Sequence, residues 1–181
     1  MSLYNKVVQF VNDAFKGKQI RHFERTVFWL ERFLPNITDT HRIAAYSHDI
    51  ERAFRDEKNK VPEEYLSPVF WKYHSETGAE IIGKFLSEQG MKDEDIQKVR
   101  HLVSKHEVGG DNEQNALKDA DSVSFFETNA GKFVKEKGAY GGVEKIQGKF
   151  DWMFSRISTE ERKEFARQNY NKWSRELKES K

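Results

Sequence analysis

Apolar residues recur along this chain at three- and four-residue spacing and almost never in strict alternation, a habit that restricts it to helices. Ile20, Phe23, Val27, Leu30 and Leu34 mark one stripe, and Ile96, Val99 and Val103 another. Each is the apolar face that an element of 3.6 residues per turn buries. The expected fold is all-α, a compact single-domain bundle of about six to eight helices. Glycine and proline set the boundaries: Gly17 closes a first helix, Pro35-Asn36 a second and Gly90 a fourth, and Asp93 opens the next. Helices are predicted near residues 3–16, 19–34, 39–54, 69–89, 93–107 and 113–128, with a loop through Pro62, a turn at Val108-Gly109-Gly110 and two further helices toward the C-terminus. No internal repeat or low-complexity linker interrupts them, so residues 1–181 read as one domain.

Composition removes several functions. The 31 Lys and Arg and 30 Asp and Glu are interspersed, leaving a formal net charge of +1 and no global field to attract nucleic acid as a main partner. No apolar run approaches the roughly 20 residues that cross a bilayer, so a soluble, cytoplasmic protein is expected. The chain has no cysteine. Any metal must then be held by imidazole and carboxylate, which leaves Fe, Mn, Mg, Ni, Co or Zn as candidates.

The histidines are the chemically informative residues. His106 lies three positions past Val103 and seven past Val99, on the apolar side of its helix, whereas His101 falls beside Gln97, Lys98 and Lys105 and should face water. His74 adjoins the stripe of Phe70, Trp71 and Ile81, with Gly78 one turn on leaving space beside the ring. His48 and Asp49 follow Ala44 and Ala45, small residues that let helices approach closely, and His22 edges the face of Phe23, Val27 and Leu30. His41 shares a face with His48, but two turns, about 10 Å, separate them, so it is expected to be a surface residue. A single core histidine is more often hydrogen-bonded to backbone or carboxylate than bound to metal. Four inward histidines, a His-Asp pair and a later carboxylate on separate helices are different, because one shared divalent cation would compensate the burial of them all.

The order His22, then His48-Asp49, then Asp121 resembles the HD superfamily of metal-dependent phosphohydrolases. Arg21-His22-Phe23-Glu24-Arg25-Thr26-Val27 is similar to that family's first motif, Ala45-Tyr46-Ser47-His48-Asp49-Ile50-Glu51-Arg52 to its signature helix, and Leu117-Lys118-Asp119-Ala120-Asp121-Ser122-Val123 to its last motif. The alanine preceding the aspartate in that last motif selects Asp121, which periodicity alone does not separate from Asp119. The segments around His74 and Lys105-His106-Glu107 resemble the extra motifs of members that hold two metals. The resemblance covers about 19–130, with helices in 140–178 packing on that core, and implies an HD-type bundle.

It further implies that His22, His48, Asp49 and Asp121 bind one ion, and that His74, His106 and a bridging Asp49 bind a second. The implied activity is hydrolysis of a small phosphate ester or anhydride, including a nucleotide, by water that one or two divalent metals activate. Asp49 and Arg52 are the expected catalytic residues. Arg52 stands where the family often has lysine, and is expected with Lys118 or Lys105 to meet substrate phosphate. Glu51 and Glu76 are weaker candidates for proton transfer. Phe150, Trp152, Met153, Phe154, Tyr170 and Trp173 are expected to pack the C-terminal helices onto the core or onto a second copy in a homodimer, or to wall a nucleobase site. A di-iron oxygenase of the same fold, or a non-catalytic helical interaction module, are the alternatives.

Overall fold

Side chains placed to satisfy free N–H groups start several of the helices. In the computed structural model, which describes residues 1–55 and 66–179, Ser2 accepts from Asn5 N at the head of α1 (Leu3–Ala14). Ser67 accepts from Phe70 N at the head of α4 (Pro68–Glu88), where Pro68 occupies the first turn. Asp111 and Gln114 form a reciprocal capping box at the head of α6 (Asn112–Thr128). Gly17 and Gly90, with φ of 73° and 76°, follow α1 and α4 in the left-handed conformation that glycine adopts without strain.

Between these lie α2 (Ile20–Phe33), α3 (Asp39–Ser47) and α5 (Asp93–Val103); α7 (Ala130–Lys135), α8 (Val143–Ser155) and α9 (Glu160–Glu179) complete the chain. Among the described residues every regular element is helical, as the periodicity requires. The count exceeds the expected six to eight because the short α7 separates from α6 at Asn129. The loop expected through Pro62 lies outside the described residues.

Two predicted helices end early, one at a histidine and the other shortly before one. The helix expected over 39–54 stops at Ser47; His48 and Asp49 carry the chain into a 3-10 turn, Ile50–Ala53. The helix expected over 93–107 stops at Val103, and residues 104–108 form turns. These breaks free the chain to aim consecutive side chains in directions that a continuous helix would keep 100° apart.

α2 packs along α6, α3 crosses α2 and α5, α4 lies on α5, and α8 and α9 close over the far side of α6. One hydrophobic core runs through them from Val7 in α1 to Leu177 in α9. α6 is buried from Ala116 to Phe126 although that stretch contains Lys118, Asp119, Asp121, Ser122 and Ser124. A central helix tolerates those groups only if each is paired. Asp119 meets this condition: it accepts from Ser158 N and Oγ and from Arg162, and pairs with Lys118, which fastens the start of α9 to α6. No described helix is long and apolar enough to cross a membrane.

Candidate metal centre

Six of the singled-out residues converge in two buried groups. His22 from α2, His48 from the end of α3 and Asp121 from α6 form one; Asp49, His74 from α4 and His106 from the turn after α5 form the other, and within each group one ligand atom per residue lies within 4.8 Å of the rest. The groups adjoin. The ring centroids of His22 and His48 are 5.3 Å apart, those of His48 and His106 5.2 Å, and those of His106 and His74 5.0 Å, so four imidazoles run in an unbroken row.

The hydrogen bonds fix how each ring is turned. Nδ1 of His48 is 2.8 Å from the Ala45 carbonyl and Nδ1 of His106 2.8 Å from that of Val103; Nδ1 of His74 is 2.7 Å from a Glu51 oxygen. These partners only accept, so each Nδ1 carries the proton. Ser124 Oγ donates to the His22 carbonyl and is therefore free to accept from His22 Nδ1, 2.9 Å away. All four rings thus point Nε2 inward, the orientation that ligating histidines take when an outer partner holds Nδ1–H.

What those nitrogens meet tests the fit of a metal. Nε2 of His22 and His48 lie 3.1 and 3.3 Å from Asp121 Oδ1, and Nε2 of His74 lies 2.9 Å from Asp49 Oδ1. A lone pair facing a carboxylate needs a proton or a cation between them. Nε2 of His48 and of His106 are buried without a hydrogen-bond partner, the kind of orphaned polar atom that folding does not leave without a reason. A divalent cation in each group would satisfy all of them, and the all-nitrogen and oxygen donor set suits the hard and borderline metals.

The electrostatics differ between the groups. Burial by itself would lower the His48 pKa, but Asp121 and Asp49 outweigh it and raise it to about 9. Burial lowers that of His106 to about 4, helped by His74 and His48 against Glu107. Burial opposes the ionised forms of Asp49 and Asp121, yet Arg52 with His48 and His74 holds the first well below the usual carboxylate range, and a nearby arginine, Arg156, with His48 and His22 does so for the second.

Arg156 and Glu107 are the residues that the sequence did not single out. Arg156, at the end of α8, donates to Asp121, to Glu107 Oε2 at 2.5 Å and to Ser122 at 2.8 Å, and lies over the Trp152 ring. The other Glu107 oxygen faces Nε2 of His74 at 3.7 Å and of His106 at 3.8 Å, so this carboxylate is placed to share an ion with them. Burial works against its ionisation, but Arg156 and both histidines bring its pKa down to about 2. Glu107 directly follows His106 in sequence; Arg156 left no comparable signal, because its role depends on where α8 docks.

Several expectations need correction. Lys118, expected to meet substrate, is 4 % exposed, bonded to Ser158 and the Arg156 carbonyl and paired with Asp119, and it does not line the cavity. Lys149 of α8 does, with Arg52, His22, Asp49, Glu107 and Asp121, around a space of about 150 Å³. Burial, with Arg52 and Arg156, lowers the Lys149 pKa to about 8. Glu51 is buried beneath His74 and bound by Arg55, and Glu76 is exposed elsewhere. Lys105 borders a different hollow, beside Trp71. His41, expected at the surface, is 1 % exposed because it caps α3 through Thr38 and reaches Glu113. A Cβ at Gly78 would meet the His48 carbonyl, Val103 and Glu51 at ordinary contact distances of 3.5 to 3.8 Å, so the room this glycine leaves is bordered by those groups. Trp152 and Met153 face the cavity, whereas Phe150 enters the core and Phe154 stacks on Tyr170.

No curated protein and no solved structure is significantly similar to the chain. A family model does match residues 7–179, every helix with a candidate ligand included. The protein accordingly belongs to the family described as a domain of unknown function, DUF4202.

Proposed function

We propose that the protein is a metal-dependent phosphohydrolase of the HD type, holding two divalent ions between His22, His48, Asp49, His74, His106 and Asp121 and acting on a small phosphate ester or anhydride. The observation that carries the reading is the row of four imidazoles, each fixed through Nδ1 with Nε2 turned into the site, three of them within 3.3 Å of a carboxylate oxygen and the fourth, His106, without a hydrogen-bond partner. Their order along the chain, with Asp121 last, is that of the HD motifs.

A bound divalent ion would lower the pKa of a coordinated water from about 15.7 toward 7 and polarise a phosphoryl oxygen. The protein's own residues do the rest. Ser124, the Ala45 and Val103 carbonyls and Glu51 hold the four rings; Arg156 holds Asp121 and Glu107. Arg52, whose side chain leans on Asp49 at 2.8 Å and is 35 % exposed, presents a guanidinium to the cavity. Lys149 adds a second cationic side chain to the cavity lining. Two cations aimed at the ligand cluster favour an anionic substrate, and a phosphoryl group in particular, whose developing charge they stabilise. The cavity has the room of roughly five waters, enough for a phosphoryl group, and the remainder of the substrate must extend beyond it.

The test is metal content and catalysis together. The wild-type chain should carry close to two equivalents of metal, the His74→Ala/His106→Ala variant close to one and the His48→Ala/Asp49→Ala variant close to none, with phosphate release from a substrate panel falling at least 1000-fold in the last. Oxygen uptake by an iron-loaded protein that releases no phosphate would favour the oxygenase. A chain without metal would leave the interaction module.

A further inference from the structure

Beside the metal cavity lies a wider basin of about 960 Å³, and Gln19, His22, Arg52, Asn129 and Lys132 belong to the walls of both. The two spaces therefore border on the same side chains, one of them the candidate ligand His22. The basin is cationic. Lys18, Arg21, Arg25, Arg52 and Lys132 line it, against Glu24 alone among the acidic residues. Arg25 is neutralised by Glu127 and Arg52 by Asp49. Lys18 and Arg21 have no carboxylate partner among the described residues, and Lys132 only a loose one, Glu136 at 3.8 Å.

The backbone adds to this charge. Lys16, Gly17 and Gln19 take positive φ of 53°, 73° and 64° on the way into α2, and Gln19 gives the helix no side-chain cap. The N–H groups of Ile20 and Arg21 therefore begin a 14-residue helix unbonded at the basin wall, where its dipole favours an anion.

We propose that this basin is a second anion subsite for the substrate of the metal centre, with Lys18, Arg21 and the start of α2 binding the far end of a condensed phosphate chain whose reacting phosphoryl group lies among the metal ligands. The inference rests on the phosphohydrolase reading and deepens it: the substrate is a di- or triphosphate compound in preference to a monophosphate. Arg52, on the wall common to both spaces, lies under the middle of such a chain.

The experiment measures binding of inorganic phosphate and of tripolyphosphate to the Mn²⁺-loaded protein, in buffer holding free Mn²⁺ constant at 0.15 M salt, with metal content determined on the recovered protein. Wild type should bind tripolyphosphate at least 100-fold more tightly than phosphate. Lys18→Ala/Arg21→Ala should lose at least tenfold of the tripolyphosphate affinity and less than twofold of the phosphate affinity, and Lys18→Arg/Arg21→Lys should restore most of the loss. Both residues are exposed, so the variants should keep two equivalents of metal. Tripolyphosphate binding that ignores Lys18 and Arg21 while two metals remain bound would overturn the subsite and leave the phosphohydrolase standing. A wild-type chain without metal would overturn both.

Discussion

The two ligand groups are built from the same residue types and behave in opposite ways. In the group of His22, His48 and Asp121, the carboxylate lies within 3.3 Å of both rings, and the His48 pKa rises to about 9. In the group of Asp49, His74 and His106, the carboxylate contacts only His74, and the His106 pKa falls to about 4. The difference lies in what each ring faces. His48 has both Asp121 and Asp49 to outweigh its burial, whereas the burial of His106 is reinforced by two neighbouring imidazoles and opposed chiefly by Glu107, which Arg156 pairs. The first group therefore holds a proton where a metal would go, and the second keeps a bare lone pair ready for one.

Arg156 is where this comparison can be strained most. It is 7 % exposed and bridges a ligand of the first group, Asp121, to the carboxylate beside the second, Glu107. Replacing it by leucine leaves both carboxylates buried without their main counter-ion, which costs about 3–5 kcal/mol. Metal ions would supply the missing charge, so the loss should be largest in chelator-treated protein and at least halved after metal loading. Denaturant unfolding of both forms of Arg156→Leu measures this. An equal loss in the two forms would mean that Arg156 serves the docking of α8 alone.

How far the sequence disclosed this site follows from the range of the interactions. His22 and His74 sit on helices whose apolar stripes run continuously, so periodicity places them at the inward face, whereas on α6 periodicity leaves Asp119 and Asp121 unseparated and only the motif resemblance selected Asp121. His48 and His106 sit just past helix ends, and they were legible only because the faces leading to Ala44, Ala45, Val99 and Val103 extrapolate across the break. Arg156, Lys149 and the Lys118–Asp119–Arg162 lock were not legible, because long-range docking of α8 and α9 decides them and no local pattern encodes it. His41 illustrates the same limit in reverse: its spacing is right for the face of His48, and a capping bond three residues long decided its place.

A smaller and more selective pair of changes separates the groups through their outer partners. Ser124→Ala removes the acceptor of His22 Nδ1–H, and Glu51→Gln weakens that of His74. Outer partners of ligating histidines are typically worth 10–100-fold in metal affinity. Ser124→Ala should weaken only the ion held by His22, His48 and Asp121, and Glu51→Gln only the other. Titration with Co²⁺, followed by its visible absorption in each variant, resolves the two events. A loss shared equally between both ions would show that the groups form a single coupled site.

The smallest effect is the proton itself. The His48 pKa stands raised from its ordinary 6.5 to about 9. In metal-free protein this contributes stability that is fully present below pH 6.5 and is lost as pH rises through 9. A metal binding His48 must displace that proton, so affinity for the first ion should rise about tenfold, or 1.4 kcal/mol, for each pH unit between 6.5 and 9. The His106 proton is already gone at neutral pH and imposes no such slope on the second ion. Calorimetry of the His74→Ala/His106→Ala variant at pH 7.5, in two buffers of different ionisation enthalpy, should detect close to one proton released per ion bound. A heat independent of the buffer would place a bare lone pair on His48 as well, and the contrast between the two groups would vanish.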